Sequence, residues 1–263
     1  PQPLKAKPSI AALPGIRVVL WDIYGTLLRT PDGGFTLFPE PEVRLQVALE
    51  KTIHEFNMWN SMYRKPGPPW KSMINQYRDY AGRLAMVATK RRGDLTDVNS
   101  VHVWRAIVDR LFDKEYVYEE DTLGDVDELS LKIAYFFHRN LQATEARPDA
   151  WRAISELYEC GIQQGVLADA QPFTMTQLTA ALVDQGLSAP TYEYFPSNRN
   201  VLSYQMGIRK PSKSLFERAV ARLEDAGVDA SEILHVSCRL QTDLMPAKAA
   251  GMKTALLASE KTG

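Results

Sequence analysis

The sequence predicts an α/β protein whose mostly parallel sheet is interrupted by an all-helical insertion. Three observations lead to this prediction: an apolar run near the start of the chain, a long stretch of helical spacing after it, and alternating strand and helix patterns in the second half. A sheet that begins before the insertion and continues after it is discontinuous in sequence. We place the sheet domain at residues 16–39 and 145–263, the helical domain at 40–144 and a loosely packed lead-in at 1–15.

The composition is that of an ordinary folded chain. Of the 263 residues, 45% are hydrophobic and 24% are charged, and the net charge is −1. A nearly neutral chain argues against a protein built around nucleic-acid backbone contacts. No apolar run reaches the roughly 18 residues of a membrane helix, and the two cysteines fit a reducing compartment. We therefore expect a cytoplasmic protein without a nucleic-acid or membrane partner, and the sequence leaves its oligomeric state open.

The first strand is predicted at Ile16–Trp21, which is short, apolar and rich in β-branched residues. Asp22 follows it directly, and Gly25 can supply a tight turn after the strand. Ligands of open α/β sheets bind at the carboxyl ends of the strands. Asp22 is therefore the first candidate for a functional side chain.

Helices are predicted throughout residues 40–144, where apolar residues recur at helical spacing. The pattern indicates helices at about 43–56, 70–88, Val101–Phe112 and Val126–Leu141. Asn99 or Ser100 would cap the third helix and Asp125 the fourth. We expect no strand in this stretch.

The second half of the chain alternates between strand and helix patterns, which is typical of a parallel sheet. Strands are predicted at Gln164–Leu167, Tyr192–Phe195, Ile233–Val236 and Thr254–Leu257. Helices are predicted at Trp151–Cys160, Thr174–Val183, Ser214–Leu223 and Thr242–Ala250.

Four short segments follow predicted strands or precede predicted helices, at residues 22–26, 167–170, 207–211 and 236–243. An aspartate such as Asp22 can act as a nucleophile and form an ester that water then hydrolyses. A cation must balance the charge of an anionic substrate and transition state, and Lys210 is the candidate. Pro211 disfavours helical geometry at Lys210, so the lysine lies just before a helix. Thr26 can hydrogen-bond a strand end or the substrate.

In order and spacing, these segments resemble the four motifs of the haloacid dehalogenase-like hydrolase superfamily. The resemblance extends from Ile16 to about Leu257 and implies a Rossmann-like core with a helical cap between the first two motifs. It implies that Asp22 is the nucleophile, Lys210 its lysine partner and Asp243 the later acidic residue of the fourth motif. The expected substrate is a small organic molecule whose carbon–halogen or phosphoester bond is hydrolysed.

The chain departs from the family's phosphatase pattern at three positions. Tyr24 replaces the aspartate that acts as general acid and base, as in haloacid dehalogenases, and this removes the proton donor for an alkoxide leaving group. Ala168 replaces a serine or threonine of the second motif and is followed by Asp169. In the fourth motif, the usual glycine and metal-binding aspartate are replaced by Ser237 and Cys238.

These positions define the rest of the predicted site. Tyr24 and Thr26 join the catalytic group, while Ala168, Asp169 and Ser237 occupy substrate-binding positions. Thr174 is the candidate to replace the hydroxyl missing at Ala168.

Magnesium is the only cofactor that the resemblance implies. Asp22, the Tyr24 carbonyl and Asp243 are the remaining oxygen ligands. A thiol at Cys238 serves Mg²⁺ poorly, which argues against a metal site.

The same departures motivate an alternative, in which the chain keeps the fold but has lost catalysis and acts in binding or regulation. The dehalogenase interpretation, by contrast, implies a halide-binding arginine from the cap. Arg44 and Arg64 are the candidates, and the sequence does not choose between them.

Overall fold

The computed structural model describes residues 2–3, 9–39, 42–62, 67–258 and 260–261. The chain divides into two compact units. An α/β unit comprises Pro1–Phe35, Thr89–Asp97 and Thr144–Gly263, and a helical unit comprises Thr36–Ala88 and Val98–Ala143.

The α/β unit is built on a five-stranded sheet. Its strands are β1 (Val18–Trp21), β2 (Gln163–Ala168), β3 (Val201–Leu202), β4 (Ile233–Ser237) and β5 (Lys253–Leu256). They lie in the order β5–β4–β1–β2–β3, and every neighbouring pair is parallel. The predicted α/β class with a parallel sheet is confirmed. Because the strands are parallel, all of their carboxyl ends lie along one edge, with the end of β1 at the centre.

Both faces of β1 are buried. Val18 and Leu20 pack into one apolar cluster, and Val19 and Trp21 pack into another. This alternation explains the continuous apolar run, since a strand covered on both faces has no position for an exposed polar residue. The Trp21 indole nitrogen donates to Gln164 Oε1 at 2.9 Å, so its polar atom is satisfied within the sheet.

The helical unit contains α1 (Glu42–Glu55), α2 (Pro69–Ala85), α3 (Ser100–Phe112), α4 (Glu120–Leu123) and α5 (Val126–Leu141), with a 3₁₀ turn at Met58–Ser61. Its core includes three fully buried aromatic rings whose centroids lie 5.0–5.8 Å apart, those of Tyr77, Trp104 and Phe137. These contacts are the tertiary packing that amphipathic helices need for stability.

The N-caps predicted for two of these helices are present. The Asn99 side chain accepts from the amide of Val101 at the start of α3. Asp125 and Glu128 form a reciprocal capping box at the start of α5. Each satisfies amides that the first helical turn leaves without an intrahelical partner.

The remaining helices belong to the α/β unit. They are α6 (Ala150–Glu159), α7 (Thr174–Val183), α8 (Thr191–Tyr194), α9 (Ser203–Met206), α10 (Lys213–Glu224) and α11 (Met245–Ala249). Short helical turns lie at Ser197–Arg199, Ala230–Glu232 and Leu240–Leu244, the last of which is π-helical. Two short antiparallel pairs join Leu28–Arg29 to Glu145–Ala146 and Gln2–Pro3 to Glu260–Lys261. In the described part of the chain, no helix combines the length and the apolar character that crossing a membrane requires.

The predicted strand at Tyr192–Phe195 is wrong. This stretch forms the single helical turn α8, and the edge strand of the sheet is β3. The Tyr194 ring packs edge-on against Trp151 and Tyr158, with both centroid distances 4.9 Å. Strand propensity depends on context, and here aromatic packing against α6 outweighs it.

A short stretch between two parts of the helical unit, Thr89–Asp97, belongs to the α/β unit, and we call it the anchor segment. Its residues Leu95–Thr96 form an antiparallel pair with Ile208–Arg209, directly before Lys210. The first amide of this strand also donates to Ser212 Oγ at 2.7 Å. The anchor segment therefore fixes the backbone on both sides of Lys210. The sequence did not indicate this strand, because two residues carry no recognisable alternation.

Candidate active site

Two carboxylates and a lysine meet at the carboxyl edge of the sheet. Asp22 follows β1, and Asp243 lies in the π-helical turn after β4. Lys210 Nζ donates to Asp22 Oδ1 at 2.9 Å and also to Asp243 Oδ1. All three side chains are at most 1% exposed. The structure thus brings together the residues that the sequence proposed as nucleophile, cation and acidic partner.

The ion pairs control the charge of this cluster. Burial alone would lower the pKa of Lys210, but Asp22 and Asp243 outweigh burial and raise it. Burial likewise favours protonation of Asp243, yet Lys210, His235 and Arg239 hold the pKa of Asp243 well below its usual range. Lys210 is therefore charged and Asp243 ionised at neutral pH.

The turn after β1 holds the Asp22 carboxylate in place. Asp22 Oδ2 accepts hydrogen bonds from Thr26 Oγ1 at 3.2 Å and from Ser237 Oγ at 3.4 Å. Gly25 has φ of 90°, which glycine adopts more readily than other residues. The Arg147 guanidinium donates to the Gly25 carbonyl at 2.6 Å and so braces the turn. Thr26 and Ser237 therefore act on the orientation of Asp22.

Tyr24 directs its hydroxyl to α7. The hydroxyl donates to Gln177 Oε1 at 2.6 Å and lies 2.9 Å from Thr174 Oγ1. Burial raises the pKa of Tyr24, although Thr174 opposes the shift, so the phenol keeps its proton. Thr174 Oγ1 also accepts from the amide of Gln171 at 2.7 Å. Neither hydroxyl is engaged with the Asp22 carboxylate.

The two residues of the second motif have different environments. Ala168 is the last residue of β2 and is fully buried in an apolar cluster. Asp169 Oδ1 accepts from the backbone amide of Lys210 at 2.8 Å. Burial raises the pKa of Asp169 to about 6, against the opposing effect of Lys210. Asp169 thus positions the lysine through its backbone.

Arg239 is a site residue that sequence reasoning missed. Its Nη2 donates to Asp22 Oδ2 at 2.9 Å and to the Tyr24 carbonyl at 3.1 Å. Its Nε donates to Asp243 Oδ2 at 3.3 Å. The side chain is 25% exposed, and Asp22 raises the pKa of the guanidinium above its already high value. The available signal was a basic residue directly after Cys238, where the fourth motif had lost an acidic one.

His235 is a second residue that the sequence did not place in the site. Its ring is fully buried on β4, and Nδ1 lies 3.0 Å from the Leu20 carbonyl oxygen. Because a carbonyl oxygen only accepts, Nδ1 carries the proton of this bond. Nε2 lies 3.6 Å from Asp243 Oδ1. The ring therefore packs beside the carboxylate that Lys210 contacts.

The family follows from comparison with known proteins. A sequence profile of haloacid dehalogenase-like hydrolases matches residues 16–251. The chain belongs to the haloacid dehalogenase-like hydrolase family. No curated protein is significantly similar to it in sequence.

Solved structures agree with this family at the level of the fold. A 2-haloacid dehalogenase from Pseudomonas syringae pv. Tomato DC3000 is 19% identical, with a TM-score of 0.53, covering 92% of this chain and 86% of that one. A HAD-like family hydrolase from Porphyromonas gingivalis is 16% identical, with a TM-score of 0.50, covering 94% and 93%. At these identities, the likeness concerns the fold alone.

Haloacid dehalogenase-like hydrolases commonly use Mg²⁺, but the donor set of this chain does not fit the ion. The three candidate ligands are Asp22, the Tyr24 carbonyl and Asp243, and the Arg239 guanidinium already donates to an oxygen of each. Burial raises the pKa of the Cys238 thiol, which keeps it neutral, and Mg²⁺ requires hard oxygen ligands. Among the described residues, no group of three or more His, Cys, Asp or Glu side chains is arranged to hold a metal.

The two arginines considered for halide binding both fall in the helical unit. Arg44 lies on α1, and its Nη2 donates to the Leu141 carbonyl at 3.2 Å. Arg64 lies outside the described residues. The assignment of a halide-binding arginine stays a prediction.

Proposed function

We propose that this hydrolase uses Asp22 as a nucleophile on a small organic substrate and cleaves a carbon–halogen bond. One observation supports this most directly: the Asp22 carboxylate is paired with Lys210 at the ligand edge of the sheet, while the Tyr24 hydroxyl is engaged elsewhere. The site thus has a nucleophile and a fixed positive charge, but no acid beside them at the second position after Asp22. Halide is a leaving group that departs without a proton.

The proposed reaction has two steps. In the first, an Asp22 carboxylate oxygen attacks the carbon that bears the halogen. A carbon–oxygen bond forms, the carbon–halogen bond breaks, and halide leaves with the electron pair. In the second step, water attacks the carboxyl carbon of the resulting ester. This releases the substrate as an alcohol, restores the Asp22 carboxylate and liberates one proton.

The hydrogen bonds of Asp22 distinguish its two oxygens. In the described part of the chain, Oδ2 accepts from Thr26, Ser237 and Arg239. Oδ1 accepts from Lys210. We therefore assign the attack to Oδ1, which keeps more of its lone-pair capacity, while Oδ2 holds the carboxylate in orientation. In the second step, donors fixed around the ester stabilise the charge that develops on its carbonyl oxygen.

Phosphoester hydrolysis is the less favoured reaction. An alkoxide leaving group needs a proton, and the buried Tyr24 phenol, with its raised pKa, is bonded to α7. The phosphatase pattern also uses a metal, for which the donor set is unsuitable.

The experiment measures halide release from 2-haloacids in buffer with a chelator and, in parallel, phosphate release from an aryl phosphate with Mg²⁺. We expect halide release by the wild-type protein, none by Asp22→Asn, and wild-type rates for Asp225→Asn. Asp225 is an exposed aspartate at the end of α10, so it controls for loss of a negative charge. An unchanged rate in Asp22→Asn would remove the aspartyl mechanism. Phosphate release without halide release would replace the dehalogenase assignment. A wild-type protein inert in both assays would favour the alternative binding or regulatory role, which the complete burial of Asp22 would then explain.

The setting of the reaction is part of the proposal. Residues 40–144 occupy the sequence position of the family's cap, and we assign them its role in substrate selection. The two free cysteines, Cys160 and Cys238, are in keeping with a reducing, cytoplasmic environment.

A further inference from the structure

The Arg239 side chain lies where three oxygens of different segments converge. Nη2 bonds to both the Asp22 carboxylate and the Tyr24 carbonyl, and Nε reaches the Asp243 carboxylate. One guanidinium therefore joins the ends of β1 and β4 through their side chains and one backbone carbonyl. A planar, permanently charged donor is suited to such convergent oxygens.

The surroundings of Arg239 leave room for this arrangement. A Cβ on Gly34 would lie 2.5 Å from Arg239 Nη1, so a larger residue there would collide with the guanidinium. A Cβ on Gly25 would lie 2.8 Å from Cys238 Sγ and 2.3 Å from a backbone oxygen. Two glycines thus allow the close packing of the Cys238–Arg239 pair against the loop after β1.

The charges of the buried cluster balance without a metal ion. Asp22 and Asp243 contribute two negative charges, and Lys210 and Arg239 contribute two positive ones. A divalent ion on the same oxygens would meet the guanidinium at contact distance and leave the buried cluster with a surplus of positive charge. Both effects oppose binding strongly where water is scarce.

We infer that Arg239 is the built-in cation of this site: it takes the position that a divalent ion would need and excludes Mg²⁺ from it. Arg239 thereby orients the Asp22 carboxylate and compensates its charge together with Lys210. This inference is independent of the proposed reaction, because it concerns what the site binds and not what it turns over.

Titration with Mn²⁺, followed by electron paramagnetic resonance, tests the inference without an activity assay. Four proteins are compared: wild type, Arg239→Lys, the double variant Cys238→Asp with Arg239→Ser, and Arg152→Ser. Arg152 is an exposed arginine, 72% accessible, and controls for loss of a positive charge. We expect no saturable binding by wild type, Arg239→Lys and Arg152→Ser. The double variant loses the blocking charge and gains a hard ligand, so it should bind at least about tenfold more tightly than wild type.

Two results would overturn the inference. One is saturable Mn²⁺ binding by the wild-type protein that Mg²⁺ displaces. The other is a double variant that keeps the wild-type circular dichroism spectrum and still binds no Mn²⁺.

Thermal unfolding provides a second measurement in case the double variant does not fold. Mg²⁺ should raise the melting temperature of Arg239→Ser, whose carboxylates lack a cation, and leave that of Arg239→Lys unchanged. Equal responses of the two variants would also overturn the inference. Since no step requires turnover, an inactive enzyme would not affect any of these outcomes.

Discussion

Replacement of Asp169 by asparagine should stabilise the protein at neutral pH. The asparagine keeps an oxygen to accept the Lys210 amide, which now donates to Asp169 Oδ1 at 2.8 Å, and removes the ionisable group. Burial raises the pKa of Asp169 from 3.8 to about 6. The unfolded chain therefore loses this proton at lower pH than the folded chain does, and wild-type stability falls as the pH rises between these values. A shift of about two pKa units corresponds to about 3 kcal/mol of unfolding free energy.

Urea denaturation of both proteins at a series of pH values measures this difference. Below about pH 4, Asp169 is protonated in both states, so the stability difference reports the substitution alone. It should then grow in favour of Asp169→Asn up to about pH 6 and remain constant above it. A difference that stays flat across this interval, or that grows in favour of wild type, would refute the reasoning.

Two further substitutions separate charge balance from hydroxyl contacts. Lys210→Met leaves the buried carboxylates of Asp22 and Asp243 without their shared cation; we expect a loss of about 3–5 kcal/mol in urea denaturation, and an unchanged midpoint would contradict the pairing. Tyr24→Phe removes the hydrogen bonds to α7 and should cost about 1–2 kcal/mol of stability while halide release continues at the wild-type rate. A large drop in kcat for the folded variant would show that the phenol acts in the reaction.

Sequence patterns predicted the elements that repeat or that end on a recognisable signal. The helix at Thr174–Val183 was placed at its observed bounds, and Asp125 was identified as an N-cap. The order of β1, β2 and β4 also followed from their apolar character. These features depend on local chemistry and on burial of a continuous face, both of which a sequence displays directly.

Features that depend on distant contacts were not predictable in this way. The aromatic residues at Tyr192–Phe195 suited a strand, but contacts with α6 make them helical. Arg239 was overlooked because its position in the fourth motif gives no indication that the side chain folds back over β1. Asp22, Lys210 and Asp243 were found because the motif pattern recorded their convergence in advance, whereas His235 belongs to no such pattern.

The anchor segment bears on how separable the two parts of this protein are. The chain passes between the helical unit and the α/β unit four times, each time at described residues, instead of twice as for a simple insertion. Deleting the inserted stretch as one piece would also delete the strand that pairs with Ile208–Arg209, next to Lys210. The helical part is therefore not an exchangeable module, and a shortened relative could keep the lysine loop in place only by retaining Thr89–Asp97 or by replacing its backbone contacts.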